Sequence, residues 1–367
     1  SRSLDIVKSL INKAEQGGWL PVFPCWNNYT SGMIGDHLIS VIGDAYIKGI
    51  NDFDIENAYR YMRQNAFESP ETFEEYADGK GRRALDSYLK YGYIPLEDTV
   101  KEAFHKNEQV SRTLEYAYDD FVLSEIARTL EKVDDYEALR RRAKNYKHVF
   151  DTSVGFVRGK HADGTWIENF DPYEKAFFIT EGTPFQYTWY VPHDVDNLID
   201  LMGGKEKYIE KLDLFFEKDE YWHGNEPSHH IAYMYSFADQ AWKTQEKVRE
   251  ILGEEYENSP GGISGNDDVG QMSAWAVFSM MGMYPVCPGK PEYVLGSPVF
   301  DKITLNLENG NKFIISAIKN SGKNKYITYA TLNDRPLDRP YILHREIMQG
   351  GNLELIMGPE PGKDLFR

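Results

Sequence analysis

The sequence is poor in cysteine: Cys25 and Cys287 are the two thiols among 367 residues. So few, so far apart, make neither a metal-ligand spacing nor a disulfide framework, and we read both as buried free thiols. Long apolar runs are missing as well. None approaches the roughly 18 residues that span a bilayer, which leaves no candidate membrane helix. Basic charge is scarce, with 41 Lys and Arg against 58 Asp and Glu and a net charge of −17. That balance argues against nucleic acid or an anionic membrane surface as the main partner, and it is compatible with a site that requires a cation. Several motifs are also absent. There is no Gly-x-Ser-x-Gly elbow, no GxxxxGK[ST] phosphate loop and no HExxH zinc pair. The NDDVG turn lacks the alternating ligands and distal Glu of an EF-hand. No internal repeat, low-complexity stretch or flexible linker interrupts the chain.

What the chain does have is aromatic side chains, 14% of the total with 25 Tyr and 7 Trp. Such rings stack on the C–H faces of sugars, and they also fill large helical cores. Up to about Met283 the apolar residues recur at three- and four-residue spacing, as in Leu4–Ile11, Ile34–Ile47, Leu114–Leu130, Val195–Met202 and Ser273–Met283, which predicts a succession of helices. The loops between them carry Trp, Tyr, His and Asp where purely solvating loops would carry Lys, Glu and Ser, so they are candidate walls of a site. After Pro288 the period drops to two. Ile303-Leu305-Leu307, Phe313-Ile315, Tyr326-Thr328 and Leu353–Met357 read as strands, with Asn309-Gly310 as a hairpin turn. The expected class is mainly α: an (α/α)6 toroid over 1–288, or an irregular helical domain, followed by a small antiparallel β unit over 289–367 packed on it.

Four loops hold the chemistry. In GNDDVGQMSAW, Asn266, Asp267 and Asp268 precede an apolar helix, where free N–H groups and the macrodipole favour carboxylates. One acid can cap the helix, and the second is then available as a general base. In TEGTPFQYTW, Glu181 lies among aromatic residues. An apolar setting raises a carboxyl's pKa and suits a general acid; the same residue could equally be a helix-N-terminal carboxylate ahead of Pro184. In HGNEPSHH, Pro227 pushes Glu226 toward extended geometry. The turn then gathers Glu226, Ser228 and His229 either as structural groups or as oxygen ligands for a hard cation. In MIGDH, which follows the aromatic loop containing Trp26, Asp36 could bind a sugar hydroxyl or cap a helix. An acid on one loop and a carboxylate on another are the minimum apparatus of glycoside hydrolysis.

Assembled in order, these blocks resemble the calcium-dependent exo-α-mannosidases of glycoside hydrolase family 92. The resemblance runs through GGWLPVFPCWNNYTSGMIGDH, GKGRRALDSYLKYGYIP, EQVSRTLEYAYDD, EGTPFQYTWYVPHD, YWHGNEPSHH and GNDDVGQMSAWAVFSMMGMYPVCPG, nearly the full length. It implies an (α/α)6 catalytic domain and hydrolysis of terminal α-linked mannose from N-glycans or mannans, with inversion at the anomeric carbon. It places the general acid on Glu181 and the general base on Asp268, with Asn266 and Asp267 holding the attacking water. It implies Ca2+ bound at Ser228 and His229, chiefly through oxygen, and substrate contacts from Asp36, Trp26, Asn225 and Glu226. Inversion needs the two carboxyls ~6.5–9.5 Å apart. Asn225 stands where α-1,2-specific members can carry His. The family's N-terminal β-sandwich is not in this sequence, and its exported habit implies a secreted, periplasmic or cell-surface protein. Two alternatives from other classes are a non-catalytic mannose-binding remnant and a mannose-1-phosphate-releasing relative. The second could dispense with the acid that Glu181 supplies.

Overall fold

The computed structural model describes residues 1–366. As the change of period predicts, the chain is mainly helical, with a β region toward its C-terminus. Compactness divides it into two units, Ser1–Asp194 with Pro288–Lys290, and Val195–Cys287 with Pro291–Arg367. The division read from sequence at 288/289 separates helix from strand, and the two divisions do not coincide.

The first unit runs α1 (Arg2–Gly17), β1 (Phe23–Cys25), β2 (Asn28–Thr30), α2 (Leu38–Ile47), α3 (Ile55–Phe67), α4 (Phe73–Ala77), α5 (Leu85–Tyr91), α6 (Gln109–Thr129), α7 (Val133–Arg142), β3 (Phe150–Asp151), β4 (Phe156–Val157) and α8 (Pro184–Tyr187). Local chemistry sets several ends. Ser1, Asp54 and Thr72 accept from backbone N–H groups in the first turns of α1, α3 and α4, and Gly18 and Gly92 close α1 and α5 in the left-handed conformation. The axis of this unit is α6. It is buried on nearly every side, yet it carries Arg112, Glu115, Asp119 and Asp120 among Leu114, Val122 and Ile126. Buried charges survive only when paired, so α6 dictates ionic partners from the elements around it.

The second unit runs α9 (Val195–Leu201), α10 (Lys205–Glu217), 3-10 helices at Glu226–Ser228 and Ile231–Ala238, α11 (Ala241–Glu254), α12 (Gln271–Met281), then β5 (Met283–Tyr284), β6 (Glu292–Leu295), β7 (Lys302–Asn306), β8 (Lys312–Ile318), β9 (Tyr326–Leu332), β10 (Arg335–Pro336), β11 (Tyr341–Leu343), α13 (His344–Met348) and β12 (Gly351–Gly358). The five-stranded sheet has the order β10-β9-β12-β8-β7. All its pairs are antiparallel except β8 with β12, which is parallel. The Asn309-Gly310 turn forms as expected: Asn306 pairs with Lys312, and Gly310 takes a φ of 85°. Phe313, Ile315, Leu353, Leu355 and Met357 alternate inward and share one core with Ala241 of α11 and Phe278 of α12. A second core joins Trp275 and Phe278 of α12 to Val248 and Ile251 of α11 and to Val294 of β6. Helix and strand are thus interleaved in this unit.

Among the described residues neither cysteine forms a disulfide; Cys287 is buried as expected, whereas Cys25 is only half-buried.

Candidate functional site

In the first unit, the β1–β2 hairpin turns on Trp26 and Asn27, flanked by the Cys25–Asn28 pair. Both turn residues have positive φ, 46° and 64°, the geometry that two-residue hairpins favour and that bulky side chains resist. The turn leaves the Trp26 ring 95% exposed, an unoccupied aromatic face.

Asp36 is in a different position from either expectation. It does not cap α2, where His37 holds the cap position without a side-chain bond, and it does not reach solvent. Its carboxylate is fully buried. Oδ2 accepts from Arg82 Nε at 2.9 Å and Oδ1 from Asn65 Nδ2 at 3.2 Å. Burial pushes the Asp36 carboxyl up to about 7, against the pull of Arg82. Arg82 continues to Asp120 at 2.7 Å, and Asp120 also receives two bonds from Arg142, at 2.7 and 2.8 Å. Asp36 is therefore part of the foundation. A direct sugar contact by its side chain is corrected to a supporting role, because both oxygens are committed in the interior.

Above it lies a residue that the sequence reading passed over. His37 Nδ1 is 2.9 Å from Asp119 Oδ1, and Nε2 is 3.0 Å from Glu115 Oε2. Its side chain remains 42% exposed. Desolvation opposes the charge, but Asp119 and Glu115 outweigh it and hold the imidazole well above the usual histidine range. Glu115 and Asp119 are four apart on α6, so one helix face presents both to the ring. That spacing sits in the EQVSRTLEYAYDD block and was the available signal.

Glu181 has a φ of 52° and precedes α8, whose cap is Thr183. A reciprocal pair of bonds with Gln186 completes the capping box, so Glu181 is not needed at the helix end. The expected apolar surroundings are not those of the carboxylate. Phe185, Tyr187 and Trp189 are buried, while the Glu181 side chain is 47% exposed, with His105 Nε2 3.9 Å from its Oε1.

In the second unit the HGNEPSHH and GNDDVG loops come together. A Cβ on Gly265 would lie 2.6 Å from the Gly224 Cα, so the backbones touch where only glycine fits. Glu226 does not extend as the following proline suggests. It opens the 3-10 turn Glu226–Ser228 with Pro227 inside the first turn, and Asn225 is the extended residue before it. Beneath are two buried histidines. His223 bridges Tyr221 Oη at 2.7 Å and Tyr256 Oη at 2.6 Å, and Tyr256 donates to the Met272 carbonyl at 2.9 Å. His229 Nε2 is 2.9 Å from the His223 carbonyl, and Nδ1 is 3.2 Å from Gln271 Nε2. Burial lowers His223 to about 3 and His229 to about 4, which makes both neutral. The His229 carbonyl accepts from Trp275 Nε1 at 2.9 Å, tying the turn to α12.

The acidic turn divides its work. Asp267 Oδ1 accepts from Ser273 N and Ser273 Oγ, both at 3.0 Å, and so satisfies the first turn of α12 although Gly270 holds the cap position. Asp268 is exposed, with a φ of 43°, and Asn266 is exposed beside it. Asp267 is thus a strut for the helix end, and Asp268 faces water.

The turn also bears on calcium. Among the described residues no group of three or more His, Cys, Asp or Glu could hold a metal ion. Both His229 nitrogens are already engaged within the protein. A hard cation prefers oxygen, and the remaining lone pair of the His229 carbonyl with the Ser228 hydroxyl offers it. Both residues are buried, and the turn does not fit a cation held by imidazole; neutral oxygens are what it could offer a hard cation.

The glycosyl hydrolase family 92 catalytic-domain model matches residues 1–359. A protein from Arthroderma benhamiae described as an uncharacterized secreted glycosidase is 30% identical over 382 residues, covering 96% of this chain and 48% of its own length. A family 92 α-mannosidase from Bacteroides thetaiotaomicron superimposes with a TM-score of 0.90 at 36% identity, over 99% of this chain and 48% of that one; it has also been solved with mannoimidazole. A family 92 inverting mannosidase from the same organism gives a TM-score of 0.91 at 34% identity, over 99% of this chain and 51% of its own. The chain spans about half the length of these relatives.

Proposed function

The chain belongs to glycosyl hydrolase family 92, and from that premise we propose that it is an inverting exo-α-mannosidase acting on terminal α-linked mannose of glycoprotein glycans or mannans. The observation that carries the reading is the family match over 1–359 together with likeness to an inverting mannosidase. Asp268 serves as general base and takes a proton from water as its oxygen attacks the anomeric carbon. Glu181 serves as general acid and gives its proton to the departing glycosidic oxygen. The C–O bond breaks as the new one forms on the opposite face, and mannose leaves with inverted configuration. Both carboxylates are open to solvent, which leaves Asp268 in reach of water and Glu181 in reach of a glycosidic oxygen. Asn266 helps position the water, and Asp267 holds the turn. Asn225 and Glu226 contact sugar hydroxyls, and Trp26 offers a ring to a sugar face. Calcium, held by Ser228 Oγ and the His229 carbonyl, would orient and polarise the hydroxyls of the ring. Export from the cell fits the secreted description of the fungal relative.

One assay tests this. Linkage-defined α-mannobioses are incubated with and without calcium, and the anomeric product is followed by NMR. β-Mannose as first product, lost on chelation, is expected. α-Mannose as first product overturns the inverting mechanism, and indifference to chelator overturns the metal role. Mannose binding without turnover would replace the reading with a non-catalytic mannose-binding protein.

A further inference from the structure

His105 is a buried residue whose ring has work on one side and none on the other. Its Nδ1 is 3.3 Å from Glu108 Oε1. Its Nε2 is buried and has no hydrogen-bond partner, and it lies 3.9 Å from Glu181 Oε1. A buried ring nitrogen without a partner carries a desolvation cost that a structural histidine avoids. His223 and His229 have both nitrogens engaged; His193 Nδ1 also lacks a partner, and what sets His105 apart is the Glu181 carboxylate 3.9 Å from its unpartnered nitrogen.

The frame around the pair is tightly built. Arg112 of α6 donates to the His105 carbonyl at 3.2 Å, and the Phe104 ring stands edge-on to the imidazole at 5.0 Å. The segment that leads to Glu181 is lashed to the same end of α6. Glu108 N donates to the Phe177 carbonyl and Val110 N to the Phe178 carbonyl, each at 3.0 Å, and Thr180 N donates to Ser111 Oγ at 2.9 Å. Glu108 and Glu181 both adopt positive φ, 51° and 52°, the left-handed region that costs a non-glycine residue energy. The strained backbones bring two carboxylates to opposite sides of one ring.

We infer that His105 is a positioning residue for Glu181: with both ring nitrogens carrying hydrogen, Nδ1–H donates to Glu108 and Nε2–H donates to Oε1 of Glu181, which leaves the protonated Oε2 for the departing glycosidic oxygen. The inference rests on Glu181 being the general acid of the reading above. A half-exposed glutamate otherwise samples many rotamers, and an acid misplaced by about 1 Å can lose 10²-fold in rate. Docking requires a side-chain rotation that shortens the 3.9 Å separation to hydrogen-bond distance, as catalytic hydrogen bonds commonly do on substrate binding.

Two measurements on the whole chain test it. In the first, His105→Asn and His105→Gln are assayed on an unactivated α-mannobiose and on a 2,4-dinitrophenyl α-mannoside, whose leaving group needs no proton. Asparagine cannot reach the Nε2 position; a glutamine amide can. For His105→Asn we expect about 10²-fold lower kcat on the mannobiose with unchanged KM, near wild-type turnover of the activated substrate, and substantial rescue in His105→Gln. Equal losses on both substrates, or no rescue, overturn the inference. In the second, the ring nitrogens of His105 are observed by 15N NMR in wild type, Glu181→Gln and Glu108→Gln. The Nε2 resonance should move in the first variant and Nδ1 in the second; an Nε2 signal unmoved by Glu181→Gln overturns the contact. If the wild type cleaves no α-mannoside, the mannosidase reading fails while the nitrogen spectrum still decides the contact.

Discussion

Gly224 and Gly265 meet backbone to backbone, so close that a Cβ on Gly265 would sit 2.6 Å from the Gly224 Cα and 2.7 Å from its carbonyl oxygen. This contact sets the distance between the Glu226–His229 turn and the Asn266–Asp268 turn. Gly265→Ala should force the loops apart at a cost of about 1–3 kcal/mol. We expect a lowered melting temperature and weakened mannose binding by calorimetry; unchanged affinity would mean that the two loops do not share a ligand.

Asp267 and Asp268 are neighbours with different jobs. Asp268→Asn should reduce kcat on an unactivated mannoside by about 10²–10⁴-fold with little change in stability. Asp267→Ala removes both bonds to Ser273 and should cost about 0.5–2 kcal/mol in urea unfolding. The reverse pattern, with Asp267 catalytic and Asp268 structural, would require reassigning the base.

Acid should weaken the second unit through its histidines. His223 and His229 are lowered to about 3 and about 4 from an ordinary value near 6.5. The unfolded chain therefore binds protons over that window while the folded chain does not, and stability falls as pH drops from about 6.5 toward 3. His223→Gln should flatten this dependence when melting temperature is followed from pH 7 to pH 4. A slope equal to wild type would remove His223 as its source.

His37 acts in the opposite sense. Its folded value is held well above the unfolded one. The stability it contributes is thus complete below about 6.5 and is lost as pH rises through the raised value. The stability difference between wild type and His37→Gln should shrink toward alkaline pH. A difference constant from pH 6 to pH 10 would show that the ring is not charged.

The buried pair beneath it is a matter of folding. Arg82 and Asp36 are both fully buried; removing Asp36 leaves Arg82 with Asp120 alone, and a buried pair broken outright typically costs about 3–5 kcal/mol. Asp36→Ala should lower the unfolding free energy by up to that amount, read from the shift of the urea midpoint multiplied by the m-value. A variant as stable as wild type that had lost only substrate affinity would restore the direct sugar contact.

The sequence made legible what depends on spacing. The helices around Leu4, Leu114 and Ser273, the strands around Ile303, Phe313 and Leu353, and the Asn309-Gly310 turn follow from period and turn chemistry, and they formed. Depth was harder to see. Asp36 in MIGDH reads like a surface acid, and only the arrival of Arg82 and Asn65 from other elements shows that it is interior. Glu181 erred the other way: aromatic neighbours in sequence suggested a dry carboxyl, yet Phe185, Tyr187 and Trp189 are buried while the Glu181 side chain is half-exposed. His37 was unread because its partners lie on a distant helix, where their four-residue interval looked like part of an ordinary amphipathic pattern.

The place of β12 has a consequence for how the chain is made. This strand is the last regular element, and it lies between β8 and β9, parallel to one and antiparallel to the other. Until it is synthesised, β7–β8 and β9–β10 are two separate hairpins with open inner edges and exposed faces of Phe313, Ile315 and Ile327. The core that these residues share with α11 and α12 cannot close before Leu353, Leu355 and Met357 arrive. The helix that follows the acidic turn, α12, therefore waits during translation on a strand made some 70 residues later, and a ribosome stalled in that interval holds a chain primed to pair with its neighbours.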